Sequence, residues 1–207
     1  MHSITQKQSS DFKIKGSKFL SFLIPATKMS EVEGALESIK DEHPTATHHC
    51  YAFRINPAEI TEFSQDDGEP SGTAGAPILN ALKSHSLINV ICVVVRYYGG
   101  TKLGKSGLIE AYGEAAEHAI EKSTLKKLVP TRQFFISYPY SEQSEINTLK
   151  HRFTLFEIDA TYTDTVSWVV ECPISESKKF KGTLESIEHL LLSVEVGGTS
   201  YQIIRSV

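Results

Sequence analysis

Apolar and polar positions alternate along this chain in short stretches, and the breaks between stretches mark its elements. Phe12–Lys15 and Lys18–Pro25 read as two strands separated by a Gly16-Ser17 turn. From Met29 to Glu42 the period lengthens: Val32, Ala35, Leu36 and Ile39 share one helical face, Ser30 is placed to cap and Pro44 to stop. His48–Ile55 and Ile60–Gln65 return to strand patterning around Asn56-Pro57. The turn-rich stretch DDGEPSGTAG then leads into a short helix from about Pro77 to Ser86, with proline at a first helical position. Val90–Val95 is almost wholly β-branched, the mark of a strand buried on both faces in the middle of a sheet. A helix over Leu108–Lys122 turns Leu108, Ala111, Tyr112, Ala115, Ala119 and Ile120 inward and Glu110, Glu114, Glu117 and Glu121 outward.

Beyond Pro130 a second set of elements begins. Gln133–Tyr138, Thr154–Thr163, Val166–Cys172 and Val194–Ile204 read as strands, and Ser141–His151 and Glu176–Leu190 as helices. That order, β-α-β-β-α-β, is the ferredoxin-like plan. The expected class is therefore α+β, with a first domain over 1–130 and a ferredoxin-like domain over 131–207.

Charge sharpens this division. The whole chain of 207 residues carries 21 Lys and Arg against 25 Asp and Glu, a net charge of −4. Residues 133–207 hold 6 basic and 10 acidic side chains, so all of that excess lies there and the first part is neutral. Glu59–Glu69 holds five acids and no base, whereas Lys122–Arg132 holds four bases and no acid. Nucleic acid would then be met through a local patch rather than a basic domain. The acidic C-terminal part is expected to meet protein or to set spacing. No apolar run approaches the roughly 18 residues of a membrane span, and the first residues lack the apolar core of a secretory signal. Cys50, Cys92 and Cys172 are odd in number and widely spaced, which reads as reduced core thiols in a cytoplasmic protein.

The densest candidate chemistry is NVICVVVRYYGGTKLGKSGL, Asn89 to Leu108. Its apolar run ends at Arg96, Tyr97 and Tyr98 follow, and Gly99, Gly100 and Gly104 lead into a helix start beside Lys102 and Lys105. A helix N-terminus offers unpaired amides and partial positive charge, so this corner is expected to receive an anion. One tyrosine is expected in the core and the other free to stack a base, with Tyr51, Phe53 and Arg54 widening that platform.

Three segments together carry a family resemblance: HHCYAFRI (His48–Ile55), DDGEPSGTAGAP (Asp66–Pro77) and VVVRYYGGTKLGKSGLIEAYG (Val93–Gly113). Over roughly residues 10–125 the chain resembles the YigZ/IMPACT family, and the remainder looks like the small C-terminal domain of its bacterial members. The resemblance implies an α/β sandwich like the second domain of a small-subunit ribosomal protein, followed by the ferredoxin-like domain. Eukaryotic members act in translational control during amino-acid starvation and carry an extra N-terminal partner-binding domain. That domain is not expected here, so their kinase-pathway role is not carried over. For bacterial members the resemblance implies nucleic-acid or ribosome binding without established chemistry.

Other readings compete for the same residues. Gly99–Ser106 satisfies G-x-x-x-x-G-K-[ST], the phosphate-loop pattern of nucleotide hydrolases, but no apolar strand of this domain supplies the magnesium aspartate. A metal-independent hydrolase using Ser71, His48 and Asp66 lacks a nucleophile-elbow frame. His48 and His49 adjoin on a strand and face opposite ways, so no metal site is expected, nor any cofactor. The acidic loop is expected to support the glycine loop: Asp66, Asp67 and Glu69 beside Arg96 and Lys102, Ser71 or Thr73 accepting amides ahead of the helix, and His48 or His49 ordering the loop. The reading that results is a non-catalytic protein that binds RNA, a ribosomal surface or a translation-associated protein, rather than DNA or a membrane. Arg96, Lys102 and Lys105 would hold phosphates.

Overall fold

Ten strands and five α-helices follow one another through residues 1–204, the part that the computed structural model describes. The first are β1 (His2–Ser3), β2 (Gln8–Ile14), β3 (Ser17–Pro25), α1 (Met29–Glu42), β4 (His48–Ile55), β5 (Thr61–Gln65), α2 (Gly75–Ser84), β6 (Val90–Tyr97) and α3 (Gly104–Glu121). Then come β7 (Lys126–Pro139), α4 (Gln143–Arg152), β8 (Phe156–Tyr162), β9 (Thr165–Pro173), α5 (Ile174–Ser186) and β10 (Ser193–Ile203). The fold is mixed α+β with two sheets, and the chain divides into two units, Met1–Lys127 and Leu128–Ile204.

In the first unit a sheet runs in the order β2-β3-β6-β4-β5 with every pairing antiparallel. The β-branched run predicts the centre: Val90 to Arg96 of β6 are all buried. On one face Val32 and Ile39 of α1 meet Phe22, Phe53, Ile91, Val93 and Val95. On the other, Ile78 and Leu82 of α2 and Leu108, Ala111, Tyr112 and Ala115 of α3 meet Phe19, Leu23, Cys92 and Val94. Alternation along β6 sends its residues to these two layers by turns.

Local chemistry moves several boundaries. The first hairpin turns on Lys15-Gly16 rather than Gly16-Ser17, both at positive φ (46° and 81°), as a two-residue hairpin loop demands. Lys28, not Ser30, stands at the N-cap of α1, and Glu31 reaches back to the Thr27 amide at 2.7 Å and its hydroxyl at 2.9 Å. α2 begins two residues before Pro77, for a reason that lies in the acidic loop. β1, absent from the sequence pattern, pairs with Lys126 and Lys127.

The second unit's sheet runs β10-β7-β9-β8, again antiparallel. Phe134, Ile136 and Tyr138 alternate inward along β7 and pack with Trp168, Val170, Phe180 and Leu184. Pro130 lies inside β7 instead of ahead of it. It is paired to Tyr201 of β10, whereas the pairing to β9 begins only at Thr131, so its missing N–H falls on an unpaired edge. Among the described residues no helix is long and apolar enough to cross a membrane.

Candidate functional site

The acidic loop and the glycine loop meet over a buried ion pair. Arg96 follows Val95 on β6, and alternation turns it to the face that carries Phe19 and Tyr112. There it is 4% exposed, and its Nη1 donates to Glu69 Oε1 at 2.5 Å. Nη2 donates to Ser17 Oγ at 3.3 Å, and the guanidinium lies 5.5 Å from the Phe19 ring and 5.4 Å from Tyr98. The Tyr112 hydroxyl donates to the same Glu69 oxygen at 2.8 Å, and burial pushes its phenol far up, so it stays a donor at any working pH. Arg96 is thus neutralised from within: its charge, expected to hold phosphate, holds the two loops together. Its Nε, however, has no partner among the described residues.

Each acidic residue of the loop has its own task. Asp66 Oδ1 accepts from the amides of Ala74 (3.0 Å) and Gly75 (2.8 Å), and Oδ2 from Gly72 (2.8 Å). It satisfies the first amides of α2 from eight residues upstream, which is why the helix starts before Pro77. Burial alone would raise its carboxyl, but these three donors outweigh that and hold it below its ordinary value. Asp67, at φ 44°, turns the chain and accepts the His49 amide at 2.6 Å. His48 Nδ1 donates to the Asp67 carbonyl at 2.8 Å, which leaves Nε2 facing Glu69 Oε1 at 3.7 Å. His49, on the opposite face, donates from Nε2 to the His43 carbonyl at 3.1 Å. No amide among the described residues donates to Thr73; its hydroxyl donates to Pro70 O at 2.6 Å. Ser71 is exposed, and no hydrogen bond joins it to His48, while both Asp66 oxygens are occupied by amides. No Ser-His-Asp relay assembles from these residues. Among the described residues no three His, Cys, Asp or Glu side chains are grouped to hold a metal ion.

The glycine loop is part closed and part open. Gly99 packs on the hairpin tip so closely that a Cβ there would lie 1.9 Å from the Gly16 carbonyl carbon, and its amide donates to Ser17 Oγ. Gly100 (φ 85°) and Gly104 (φ 73°) face open space. Among the described residues the amides of Thr101, Lys102, Gly104 and Lys105 find no acceptor, and the first turn of α3 has neither a side-chain cap nor an acid. Lys102 and Lys105 are exposed and without an ion-pair partner among the described residues. Tyr97 and Tyr98 take opposite faces: Tyr97 bonds His43 Nδ1 at 3.1 Å, and Tyr98 stands 45% exposed beside Arg96. Tyr51, Phe53 and Arg54 do not extend the site. Tyr51 and Phe53 pack in the α1 layer, and Arg54 pairs with Glu62 at 3.1 Å and bonds the Leu87 carbonyl.

Between the loops opens a cavity of about 530 Å³. Arg96, Glu69 and His48 line its charged side, Tyr98, Leu103, Leu108 and Pro70 its apolar side, and Lys102 and Lys105 stand at the α3 start. The phosphate-loop pattern sits here in a setting unlike that of nucleotide hydrolases. β6 is flanked antiparallel on both sides, and the neighbouring strands bring Phe19 and His48, not an aspartate, opposite Arg96. The pattern also gave no hint of a further feature. Lys13, Lys18 and Tyr97 lie in register across β2, β3 and β6, and Lys15 sits at the tip that touches Gly99. Their clustering around Gly16 is visible in the sequence, but the long-range contact between Gly16 and Gly99 is not.

The Impact N-terminal domain model matches residues 15–120. The chain is similar to the IMPACT family member YigZ of Escherichia coli (strain K12), 33% identical over 175 residues, which cover 83% of this chain and 85% of that one. It is also similar to the IMPACT family member YvyE of Bacillus subtilis (strain 168), 30% identical over 206 residues, covering 97% and 94%. A crystal structure described as that of a hypothetical protein shares 28% identity and superposes with a TM-score of 0.66, covering 94% of this chain and 95% of that one.

Proposed function

Because this chain belongs to the IMPACT family, we propose that it is a non-catalytic binding protein of the cytoplasm that acts in translation by holding RNA, ribosomal RNA included, at the start of α3. The observation that carries this reading is the contrast within one site. Arg96 is paired and buried, whereas Lys102, Lys105 and the amides around them are open. A fixed dipole, free lysines and an exposed Tyr98 are the parts from which phosphate and base contacts are made. That Ser71, His48 and Asp66 form no relay, both Asp66 oxygens being taken by amides, favours binding over turnover. The antiparallel setting of β6 weighs against the phosphate-loop alternative.

The domain assignments belong to the same reading. The first unit is read as the family's α/β sandwich, supported by helices on both faces of its sheet. The second is read as ferredoxin-like, supported by β-α-β-β-α-β order with its first strand between the fourth and third. Its acidic surface suits a protein neighbour better than a phosphate backbone.

The test is co-sedimentation of the whole protein with ribosomal fractions, before and after nuclease treatment. Nuclease-sensitive association that Lys102→Ala with Lys105→Ala weakens is the expected result. Association indifferent both to nuclease and to the double substitution would replace RNA with a protein partner.

A further inference from the structure

Two polar atoms of this cavity's lining lack something to bind, and Arg96 beside them holds a third, buried one. Arg96 lines it and is 4% exposed, and its Nε, itself closed off from solvent, has no partner among the described residues. Glu69 also lines it, and among the described residues only its Oε1 receives donors, which leaves Oε2 free. His48, with Nδ1 committed to the Asp67 carbonyl, has its other ring nitrogen available. An apolar occupant would bury Glu69 Oε2 and His48 Nε2 with nothing to bind, which is costly. A purely anionic occupant would fill the lysine end and leave the Tyr98, Leu103 and Leu108 side bare. The occupant that fits has a flat body, donors and acceptors along its edge, and a phosphate at one end.

We infer that the cavity takes a single unpaired RNA nucleotide, its base against Tyr98 and Leu108 and its phosphate against Lys102, Lys105 and the first amides of α3. This rests on the RNA-binding reading above and narrows it. At 530 Å³ the cavity lies within the roughly 300–1,000 Å³ of small-molecule sites. An exposed tyrosine with a guanidinium 5.4 Å from its ring is a stacking surface. A base held in a duplex cannot enter, because its edge is paired and its faces are stacked. Single-stranded segments, bulges and loops are therefore the selected form.

Fluorescence anisotropy with labelled oligouridine of about ten nucleotides, against a blunt RNA duplex of equal length, tests the inference. Single-stranded RNA should bind about tenfold tighter than duplex. Tyr98→Ala should remove most of that preference and Tyr98→Trp should restore it, while Lys102→Ala with Lys105→Ala should weaken both RNAs. Equal affinity for the two RNAs, or a preference that Tyr98→Ala leaves intact, overturns the nucleotide pocket while RNA binding stands. If neither RNA binds at low salt, the RNA reading itself falls, and the pocket with it. Oligoglutamate competing as well as oligouridine would overturn the pocket in favour of an acidic protein partner.

Discussion

Two adjacent glycines of the loop do different work, and substitution separates them. At Gly99 any side chain meets the Gly16 backbone, so Gly99→Ala must push the hairpin off the loop. Overpacking of this kind costs about 1–3 kcal/mol, and the shift should also disturb the cavity. Gly100 faces open space, so Gly100→Ala meets only the strain of its positive φ, about 1 kcal/mol. Urea denaturation should show the larger loss at Gly99. The ion pair makes a second prediction. Glu69→Ala leaves Arg96 buried without its counter-charge, a loss of about 3–5 kcal/mol. A loss under 1 kcal/mol would mean that water reaches the guanidinium. The motif itself showed Arg96 at a strand end and an acidic loop upstream. Which acid would close on it was not legible, because Asp66, Asp67 and Glu69 are chemically alike and only the turn at Asp67 decides that Glu69 points inward.

Elements were legible wherever one period ran uninterrupted. α1, β4 and the apolar part of β6 stand where the pattern puts them, since burial of one helical stripe or one strand leaves little choice. The start of α2 was not, because its cap comes from Asp66, a partner separated by a turn. Asp66→Ala should cost about 2 kcal/mol, the upper range for a cap. The sign of its pH dependence follows from the lowered carboxyl. The folded-state value lies below the unfolded one, so the stabilisation is complete above the unfolded value of about 4 and fades as pH falls through the folded value. The gap in urea midpoint between parent and Asp66→Ala should stay constant above about pH 5 and narrow in acid. A gap independent of pH would assign the effect to packing alone.

Across the whole molecule, each unit has its own core and its own reporters. Cys50 and Cys92 lie buried in the first, Cys172 and the sole tryptophan, Trp168, in the second. Burial raises all three thiols, Cys92 and Cys172 to about 12, so iodoacetamide near pH 8 should leave the native protein unlabelled and modify all three in denaturant. Rapid native labelling of Cys50 would show that the acidic loop opens. The neutral charge of the first part hides a sorted surface. The glycine loop is seated by the Gly16–Gly99 contact, which links residues 83 positions apart and leaves no periodic trace. The salt dependence of oligouridine affinity tests most directly whether that surface receives phosphate. The account predicts a linear fall of log affinity with log salt, and a slope shallower by about 1.4 for Lys102→Ala with Lys105→Ala, two phosphate contacts on a single strand. An identical slope and affinity in parent and double variant at every salt concentration would contradict it.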